Sequence, residues 1–374
     1  MAINQGEILL SRYRVDGYHA EGSMQTVYKG FDLSLNRDVV IKTPKGTVRD
    51  RRFKRGAEMG ARINHPNAAA TFDYFEDESL DLTFMVEEFI HGKDLGKRLS
   101  NEFIFLDPYL AAHVIHHIAK ALHEAHRAGI CHRDLKPSNI MVSEDFALTN
   151  LKLTDFGIAK LAESEIDAEM KLFSENEETL TTSSTLLGAV PYLAPECWSN
   201  WKDAGQEIDI WAMGCIAYQL LSGKPPFGMG RLAISNVNKA EHRGFVEIPN
   251  PSHFGQKPHV GALESQLMKL ILNCLKIKPE ERPKTIDVLE YCGNLLYSSL
   301  PRIKGEIETY PLMYAGNTRS EAGKIRGEDG ALYFFHKSDY FGDQPPAVGQ
   351  PVSFSWCAGD PNDRASPVLL MKNN

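Results

Sequence analysis

The chain has no apolar run that approaches the roughly 20 residues a helix needs to cross a bilayer. Its start also lacks a basic segment followed by a hydrophobic core, so we expect no signal peptide. Acidic residues outnumber basic ones by 49 to 41, and the formal net charge of −8 argues against nucleic-acid binding through overall charge. We therefore expect a cytoplasmic protein with no membrane partner.

Cysteine is scarce and scattered along the chain. The six cysteines include no C-x-x-C pair, which argues against a compact disulfide scaffold and a zinc ribbon and is typical of reduced thiols in a cytoplasm. Hydrophobic residues make up 43% and charged residues 24%, which argues against long disorder and a coiled coil. A chain of 374 residues with this composition indicates about two or three globular domains.

The hydrophobic pattern changes along the chain. Residues 1–90 consist mostly of short β-branched and aromatic runs between turn residues, which predict strands around one basic helix at 48–63. From Pro108 onward, apolar residues recur at three- and four-residue spacing, which predicts helices with one buried stripe. These helices are predicted over 108–125, 208–221 and 265–275. A β-rich lobe therefore precedes a larger α-rich lobe.

Two further regions follow the helical part. Residues 301–320 lose the periodicity and carry Pro, Gly and Asn, which predicts a linker. Residues 321–374 return to short alternating strands separated by turn clusters, which is typical of a small all-β barrel.

The strongest chemical signal is the run His132-Arg-Asp-Leu-Lys-Pro-Ser-Asn139, followed by Asp155-Phe-Gly157. Phosphoryl transfer needs a carboxylate that orients the attacking hydroxyl, oxygen ligands for Mg²⁺ and a cation beside the transferred phosphate. Asp134 can supply the carboxylate and Lys136 the cation. Asn139 and Asp155 offer the hard oxygen ligands that suit Mg²⁺.

These segments resemble the catalytic loop and the magnesium loop of protein kinases, and further kinase motifs follow in the same order. The resemblance covers about residues 10–298 and is strongest to bacterial eukaryotic-like serine/threonine kinases. It implies an α+β, bilobal fold with an N-lobe at 1–90 and a C-lobe at 91–300. It also implies ATP as donor, Mg²⁺ as cofactor, protein substrates, and self-association for autophosphorylation.

The resemblance assigns further residues to the nucleotide. Lys42 of the run Val39-Val-Ile-Lys42 corresponds to the kinase lysine that binds the α- and β-phosphates and serves catalysis. Residues 20–27 correspond to the glycine-rich phosphate loop, and 88–94 to the hinge between the lobes, with Glu87 lining the back of the pocket. The implied ATP-binding residues are Ala20, Gly22, Val27, Lys42, Glu88, Ile90 and Asp94.

Other kinase motifs imply supporting and regulatory residues. Asp209 corresponds to the aspartate that braces the catalytic loop, and Arg282 to the arginine that pairs with Glu196 of the Ala-Pro-Glu motif. Arg133 precedes the catalytic aspartate and can clamp a phosphate on the activation segment. The candidate phosphorylation sites include Thr182 and Thr185.

The chain departs from the kinase pattern at the lysine's usual partner. Kinases supply a glutamate from the small-lobe helix, but Gly56 stands at that position. The nearest acid, Glu58, lies about 200° around the helix and should face away. We therefore expect Lys42 to pair with another acid, for which Asp155 is the nearest motif carboxylate.

A second departure is Ala189, at a position where serine/threonine kinases usually carry a threonine that bonds the catalytic aspartate and lysine. Both departures raise the alternative of a pseudokinase scaffold. The residues that act directly on ATP, Mg²⁺ and the hydroxyl in kinases are nevertheless intact, which favours an active enzyme. They are Lys42, Asp134, Asn139 and Asp155.

Two clusters of like residues allow both a structural and a functional interpretation. His113 and His117 are spaced to share a metal ion, but five histidines on one helix are more typical of a packed or solvated kinase helix. The acidic stretch 163–178 is more typical of a solvated insertion than of a docking or autoinhibitory element.

The C-terminal region resembles a cold-shock domain, a small OB-type barrel. Phe334 and His336 alternate to one face of a predicted strand, where bases stack in that family. Residues 321–374 carry five basic and seven acidic residues, however, and single strands need a cationic surface. We interpret the barrel as a protein-interaction or regulatory module, with an RNA-linked regulator as the alternative.

Overall fold

The computed structural model describes residues 3–21, 25–45, 51–77, 82–156, 188–199, 204–313, 319–360 and 362–373. Within these residues the chain builds an N-terminal antiparallel sheet, a helical lobe and a C-terminal barrel. The α+β, bilobal fold followed by a barrel is thereby confirmed. No helix in the described ranges is long and apolar enough to cross a membrane.

In the described part of the N-terminal lobe, one helix packs on a six-stranded antiparallel sheet. Its elements are β1 (Ile8–Leu9), β2 (Tyr13–Glu21), β3 (Gln25–Asp32), β4 (Arg37–Pro44), α1 (Arg51–Gly60), β5 (Thr71–Asp77) and β6 (Leu82–Glu88). The strand order is β1-β2-β3-β4-β6-β5. Val39 and Ile41 point into the apolar core of the sheet, so the alternate residues Val40 and Lys42 face the opposite side.

The helical lobe is built around α3 and the helices that pack on it. Its elements are β7 (Lys93–Asp94), α2 (Leu95–Asn101), α3 (Pro108–Arg127), β8 (Ile140–Val142), β9 (Leu151–Leu153), α4 (Glu196–Ser199), α5 (Glu207–Ser222), α6 (Gly230–Arg243), α7 (Gly261–Cys274) and α8 (Thr285–Gly293). The helices predicted from apolar periodicity correspond to α3, α5 and α7. Trp211 on α5 is fully buried in the common core.

The C-terminal barrel begins earlier in the chain than the sequence predicted. Its strands are β10 (Ile303–Thr309), β11 (Ala322–Gly327), β12 (Leu332–His336), β13 (Tyr340–Phe341), β14 (Pro351–Cys357) and β15 (Arg364–Leu370). They are ordered β12-β11-β10-β14-β15-β13, and an extra pairing of β12 with β15 closes the sheet.

The predicted linker at 301–320 is therefore wrong over β10, which lies between β11 and β14. The strand carries little hydrophobic alternation, because only Ile307 is fully buried. At Gly305 a Cβ atom would come within 2.6 Å of the carbonyl oxygen of Arg326, so this close approach requires glycine. Because glycine and charged residues interrupt the hydrophobic alternation, the sequence pattern did not predict this strand.

The barrel is packed directly on the helical lobe. Phe341, Leu369 and Met371 of the barrel lie in the same apolar core as α3 and α5. The Lys372 ammonium donates to the carbonyl oxygens of Leu99 and Ser100 at 2.9 and 2.8 Å. The barrel and the helical lobe thus share a core rather than joining through a flexible tether.

Candidate active site

The predicted catalytic loop between α3 and β8 folds around the carboxylate of Asp134. Lys136 Nζ lies 3.0 Å from Asp134 Oδ1 and 2.8 Å from Oδ2. The amide nitrogen of Asn139 donates to Asp134 Oδ2 at 2.9 Å and to its backbone oxygen at 2.8 Å. The Asp134 side chain stays 22% exposed, so its open side can meet a substrate hydroxyl.

Asp209, at the start of α5, braces this loop from beneath. Its carboxylate accepts the backbone N–H groups of His132 at 2.7 Å and Arg133 at 2.8 Å, and His126 Nε2 lies 2.8 Å away. Arg133 has a φ of +68°, a left-handed conformation that is unfavourable outside glycine. Burial by itself raises the pKa of Asp209, but the bonds from His126 and Arg133 outweigh burial and lower the pKa below its ordinary value. The ionised carboxylate therefore holds a strained loop.

Asp155, the predicted magnesium-loop residue, lies beside the predicted catalytic loop because β8 and β9 pair. Ile140 opposes Leu153, and Thr154 donates its backbone N–H to the carbonyl oxygen of Asn139 at 3.0 Å. This pairing brings the segments that carry Asn139 and Asp155 side by side. Asp155 has a φ of +62°.

Lys42 has two acidic partners in the described structure. Its Nζ lies 2.7 Å from Asp155 Oδ1 and 2.5 Å from Glu87 Oε2. Burial alone lowers the pKa of Lys42, but the two carboxylates outweigh it and raise the pKa. Burial also raises the pKa of Glu87, whereas for Asp155 the opposing effect of Lys42 prevails over burial and lowers the pKa. The sequence predicted the Asp155 contact and missed the role of Glu87.

The sheet register explains how Glu87 reaches the lysine. On neighbouring strands β4 and β6, Val40 opposes Glu87 and Lys42 opposes Met85. Lys42 and Glu87 are therefore diagonal neighbours on one face of the sheet, within reach of long side chains.

The α1 helix carries neither of these carboxylates. Gly56 is buried on the face where Phe53 and Ala57 pack against Met85. Glu58 is exposed on the other side, as predicted from the helical rotation.

The phosphate loop contributes an unpredicted residue, Gln25. It stands where the third glycine of the kinase loop would be, and its amide nitrogen donates to Asp155 Oδ1 at 2.9 Å. Its Oε1 is buried and has no hydrogen-bond partner among the described residues. Of the predicted loop residues, Ala20 opposes Val27, which in turn opposes Lys42, whereas Gly22 lies outside the described residues.

The predicted hinge begins at Glu88, the last residue of β6, and ends at Asp94 in β7. The Glu88 carboxylate accepts from Lys152 Nζ at 2.8 Å, and its backbone N–H donates to the oxygen of Ala70. Ile90 is half-buried. Asp94 caps α2 by accepting the N–H of Lys97 at 2.8 Å, so a ribose contact would share this carboxylate with the helix cap.

The predicted end of the activation segment, at Glu196, is fixed by a two-point ion pair. Arg282 Nη1 and Nη2 lie 2.6 and 2.8 Å from the carboxylate of Glu196. Arg133 donates to the oxygen of Ala204 at 3.3 Å, and its buried Nη1 has no hydrogen-bond partner in the part of the chain that the structure describes. Ala189 lines a small pocket beside Asp134. Thr182, Thr185 and the acidic stretch 163–178 lie outside the described residues.

The histidines of α3 serve packing. Each ring forms a hydrogen bond within the fold. His113 bonds to the carbonyl oxygen of Leu148, His116 to the Tyr297 hydroxyl, His117 to the carbonyl oxygen of His113, His123 to the Thr285 hydroxyl, and His126 to the Asp209 carboxylate. Burial lowers the pKa of His113 and His116 to about 4. The described residues contain no group of three side chains able to hold a metal ion. The packed-helix interpretation accounts for the cluster.

The chain is similar to known protein kinases. Residues 15–291 match the protein kinase domain. The serine/threonine-protein kinase pkn3 of Myxococcus xanthus is 32% identical over 76% of this chain and 50% of its own length. A probable serine/threonine-protein kinase of Clostridium acetobutylicum is 32% identical over 78% and 41%, and PknB of Mycobacterium tuberculosis is 31% identical over 74% and 41%. The chain thus spans about half or less of the length of these relatives.

Proposed function

Because the chain belongs to the protein kinase family, we propose that it transfers the γ-phosphoryl group of ATP to serine and threonine hydroxyls of proteins. One observation carries the proposal: the Asp134 carboxylate is held between Lys136 and Asn139 and keeps one side open. A group so placed can orient a hydroxyl for in-line attack. The serine/threonine class is supported by relatives that bear that name.

Each side chain of the site has its own role in phosphoryl transfer. Asp134 accepts the proton of the attacking hydroxyl, and Lys136 beside it stabilises negative charge on the transferred phosphoryl group. Lys42 binds the α- and β-phosphates from the opposite lobe. The Asp209 brace keeps the loop that carries Asp134 in its strained conformation, which preorganises the site.

The side chains of Asn139 and Asp155 fit a bound Mg²⁺. The Asn139 amide nitrogen is engaged by Asp134, which leaves its side-chain oxygen for a cation. The lowered pKa of Asp155 keeps its carboxylate ionised at neutral pH. Both offer the hard oxygen ligands that Mg²⁺ prefers. When bound, Mg²⁺ neutralises charge on the ATP phosphates.

Labelled ATP tests the proposal. The full chain is incubated with γ-labelled ATP and Mg²⁺, alone and with a general acceptor protein such as casein, and the labelled residues are identified after acid hydrolysis. We expect phosphoserine or phosphothreonine, and loss of the label when EDTA removes Mg²⁺. A chain that labels neither itself nor the acceptor contradicts the proposal. An initial rate of self-labelling that rises with the square of the protein concentration supports autophosphorylation between associated copies.

A pseudokinase scaffold is the second candidate function. The observation that favours it is Gly56, since within the described residues α1 supplies no glutamate to Lys42. A protein that binds ATP without transferring phosphate supports this candidate.

We propose that the barrel is a cold-shock-like module that regulates the kinase lobes or engages proteins with them. Its shared core with the helical lobe supports a joint action. Retarded migration of single-stranded RNA at low salt, reversed by added salt, supports the RNA-linked alternative instead. All six cysteines are unpaired, which supports a cytoplasmic location.

A further inference from the structure

We infer that Glu87 is the positioning residue for Lys42, in place of the glutamate that kinases supply from the small-lobe helix. The inference rests on the proposed function, because it concerns the lysine that binds the ATP phosphates. Its basis is the contact of Lys42 Nζ with Glu87 Oε2, in which the two side chains are only 6% and 10% exposed.

The contact is built into the sheet. Glu87 and Lys42 are diagonal neighbours on β6 and β4, whose backbones are paired from Val39–Glu88 to Lys42–Met85. Their separation is set by strand pairing and does not depend on how α1 packs. A helix that moved away from the sheet would leave this pair in place.

Asp155, the other acidic partner of Lys42, also has a second role. Asp155 is the proposed Mg²⁺ ligand, and its Oδ1 also accepts from Gln25. When the Asp155 carboxylate binds Mg²⁺ instead of Lys42, the lysine keeps an acidic partner only if Glu87 remains beside it. A lysine paired with Asp155 alone would be drawn toward that carboxylate and away from the phosphates.

The two unusual positions complement each other. Gly56 removes a carboxylate from α1, and Glu87 supplies one from the back of the pocket. The cluster around Lys42 therefore contains one lysine, one positioning glutamate and one magnesium-loop aspartate, the same charges that the helix-borne arrangement provides. The geometry assigns the positioning role to a strand.

Charge-neutral variants of Glu87 test this role. Glu87→Gln keeps the volume and an acceptor oxygen, and Lys42 retains Asp155, so we expect the protein to fold. Glu87→Met is the second variant, since an apolar side chain of similar length tolerates burial. Glu58→Gln, on the exposed side of α1, is the matched control. The readouts are kcat and KM for ATP in phosphoryl transfer, and Mg²⁺·ATP affinity by calorimetry.

We expect Glu87→Gln and Glu87→Met to lower kcat/KM by about tenfold or more, because a misplaced lysine no longer meets the phosphates. Glu58→Gln should stay within about twofold of the wild type. In a Lys42→Met background, Glu87→Gln should weaken Mg²⁺·ATP binding no further, since its effect runs through the lysine.

Two results overturn the inference. One is transfer by both Glu87 variants within about twofold of the wild type. The other is an equal loss of Mg²⁺·ATP affinity from Glu87→Gln with and without Lys42. A wild-type chain that binds Mg²⁺·ATP and transfers nothing contradicts the proposed function instead, and the affinity comparison then still decides the role of Glu87.

Discussion

Arg302, directly before the first strand of the barrel, forms a buried two-point ion pair with Asp107, the residue that caps α3. The two contacts are 2.6 and 3.0 Å, and the side chains are 4% and 0% exposed. Asp107 also accepts the backbone N–H groups of Tyr109 and Leu110. The barrel is thus bonded to the start of the helix whose far end carries His126 against the catalytic-loop brace.

Loss of this ion pair should destabilise the whole chain. Arg302→Ala leaves a buried carboxylate without its cation, and we expect the free energy of unfolding to fall by about 3 kcal/mol or more. Arg326→Ala is the matched control, because its ion pair with Glu308 is half exposed and should contribute less than about 1 kcal/mol. Urea unfolding of the two variants measures the difference. An equal loss of unfolding free energy in both variants would show that the contact between the barrel and the helical lobe does not depend on the pair of Arg302 with Asp107.

Stability should depend on pH through the buried histidines of α3. Burial lowers the pKa of His113 to about 4 from its ordinary 6.5. Between these values the unfolded chain binds a proton that the folded chain does not, so stability should fall as the pH drops from 6.5 to about 4. His113→Gln can still donate to Leu148 and cannot titrate, so it should flatten this slope. The exposed His242→Gln serves as the control, and equal slopes in the two variants would contradict the assignment.

Restoring the helix glutamate should rescue the loss of Glu87. Position 56 is where kinases carry that glutamate, so Gly56→Glu should leave ATP turnover the same or higher in the wild type. In a Glu87→Met background it should recover part of the lost turnover. Glu58→Ala should change turnover little. A large loss on Glu58→Ala would show that Glu58 is the true partner of Lys42 and that α1 adopts another register in solution.

Phosphorylation of the activation segment should control activity. Arg133 has a buried Nη1 without a hydrogen-bond partner among the described residues, so this guanidinium can donate to a phosphate. Mass spectrometry of an active preparation should find phosphate within 179–185, with Thr182 and Thr185 as candidates. Arg133→Gln should remove the activation that phosphorylation brings. An active preparation free of phosphate in this segment would refute the idea.

The sequence predicted those parts of the site that short motifs carry. Asp134, Asn139 and Asp155 lie within runs of fixed spacing, and local pairing of β8 with β9 brings them together. The apolar stripe of α3 and the rotation of Glu58 away from the cleft also follow from helical geometry.

The remaining features depend on contacts between distant segments. Glu87 reaches Lys42 only through the register of β4 with β6, and Gln25 bonds Asp155 across 130 residues of chain. The pair of Asp107 with Arg302 spans 195 residues. No local pattern encodes such partners, since each depends on how whole strands and domains pack.

The most direct test of the account is single-turnover phosphoryl transfer by Asp134→Asn, measured together with Mg²⁺·ATP affinity. Asparagine keeps the shape of the side chain but cannot accept the proton of the attacking hydroxyl. We expect transfer to fall by about a hundredfold or more, while the fold and the nucleotide affinity are preserved. Lys42→Ala should also abolish transfer without unfolding the chain. Near-normal transfer by Asp134→Asn would contradict the catalytic assignment.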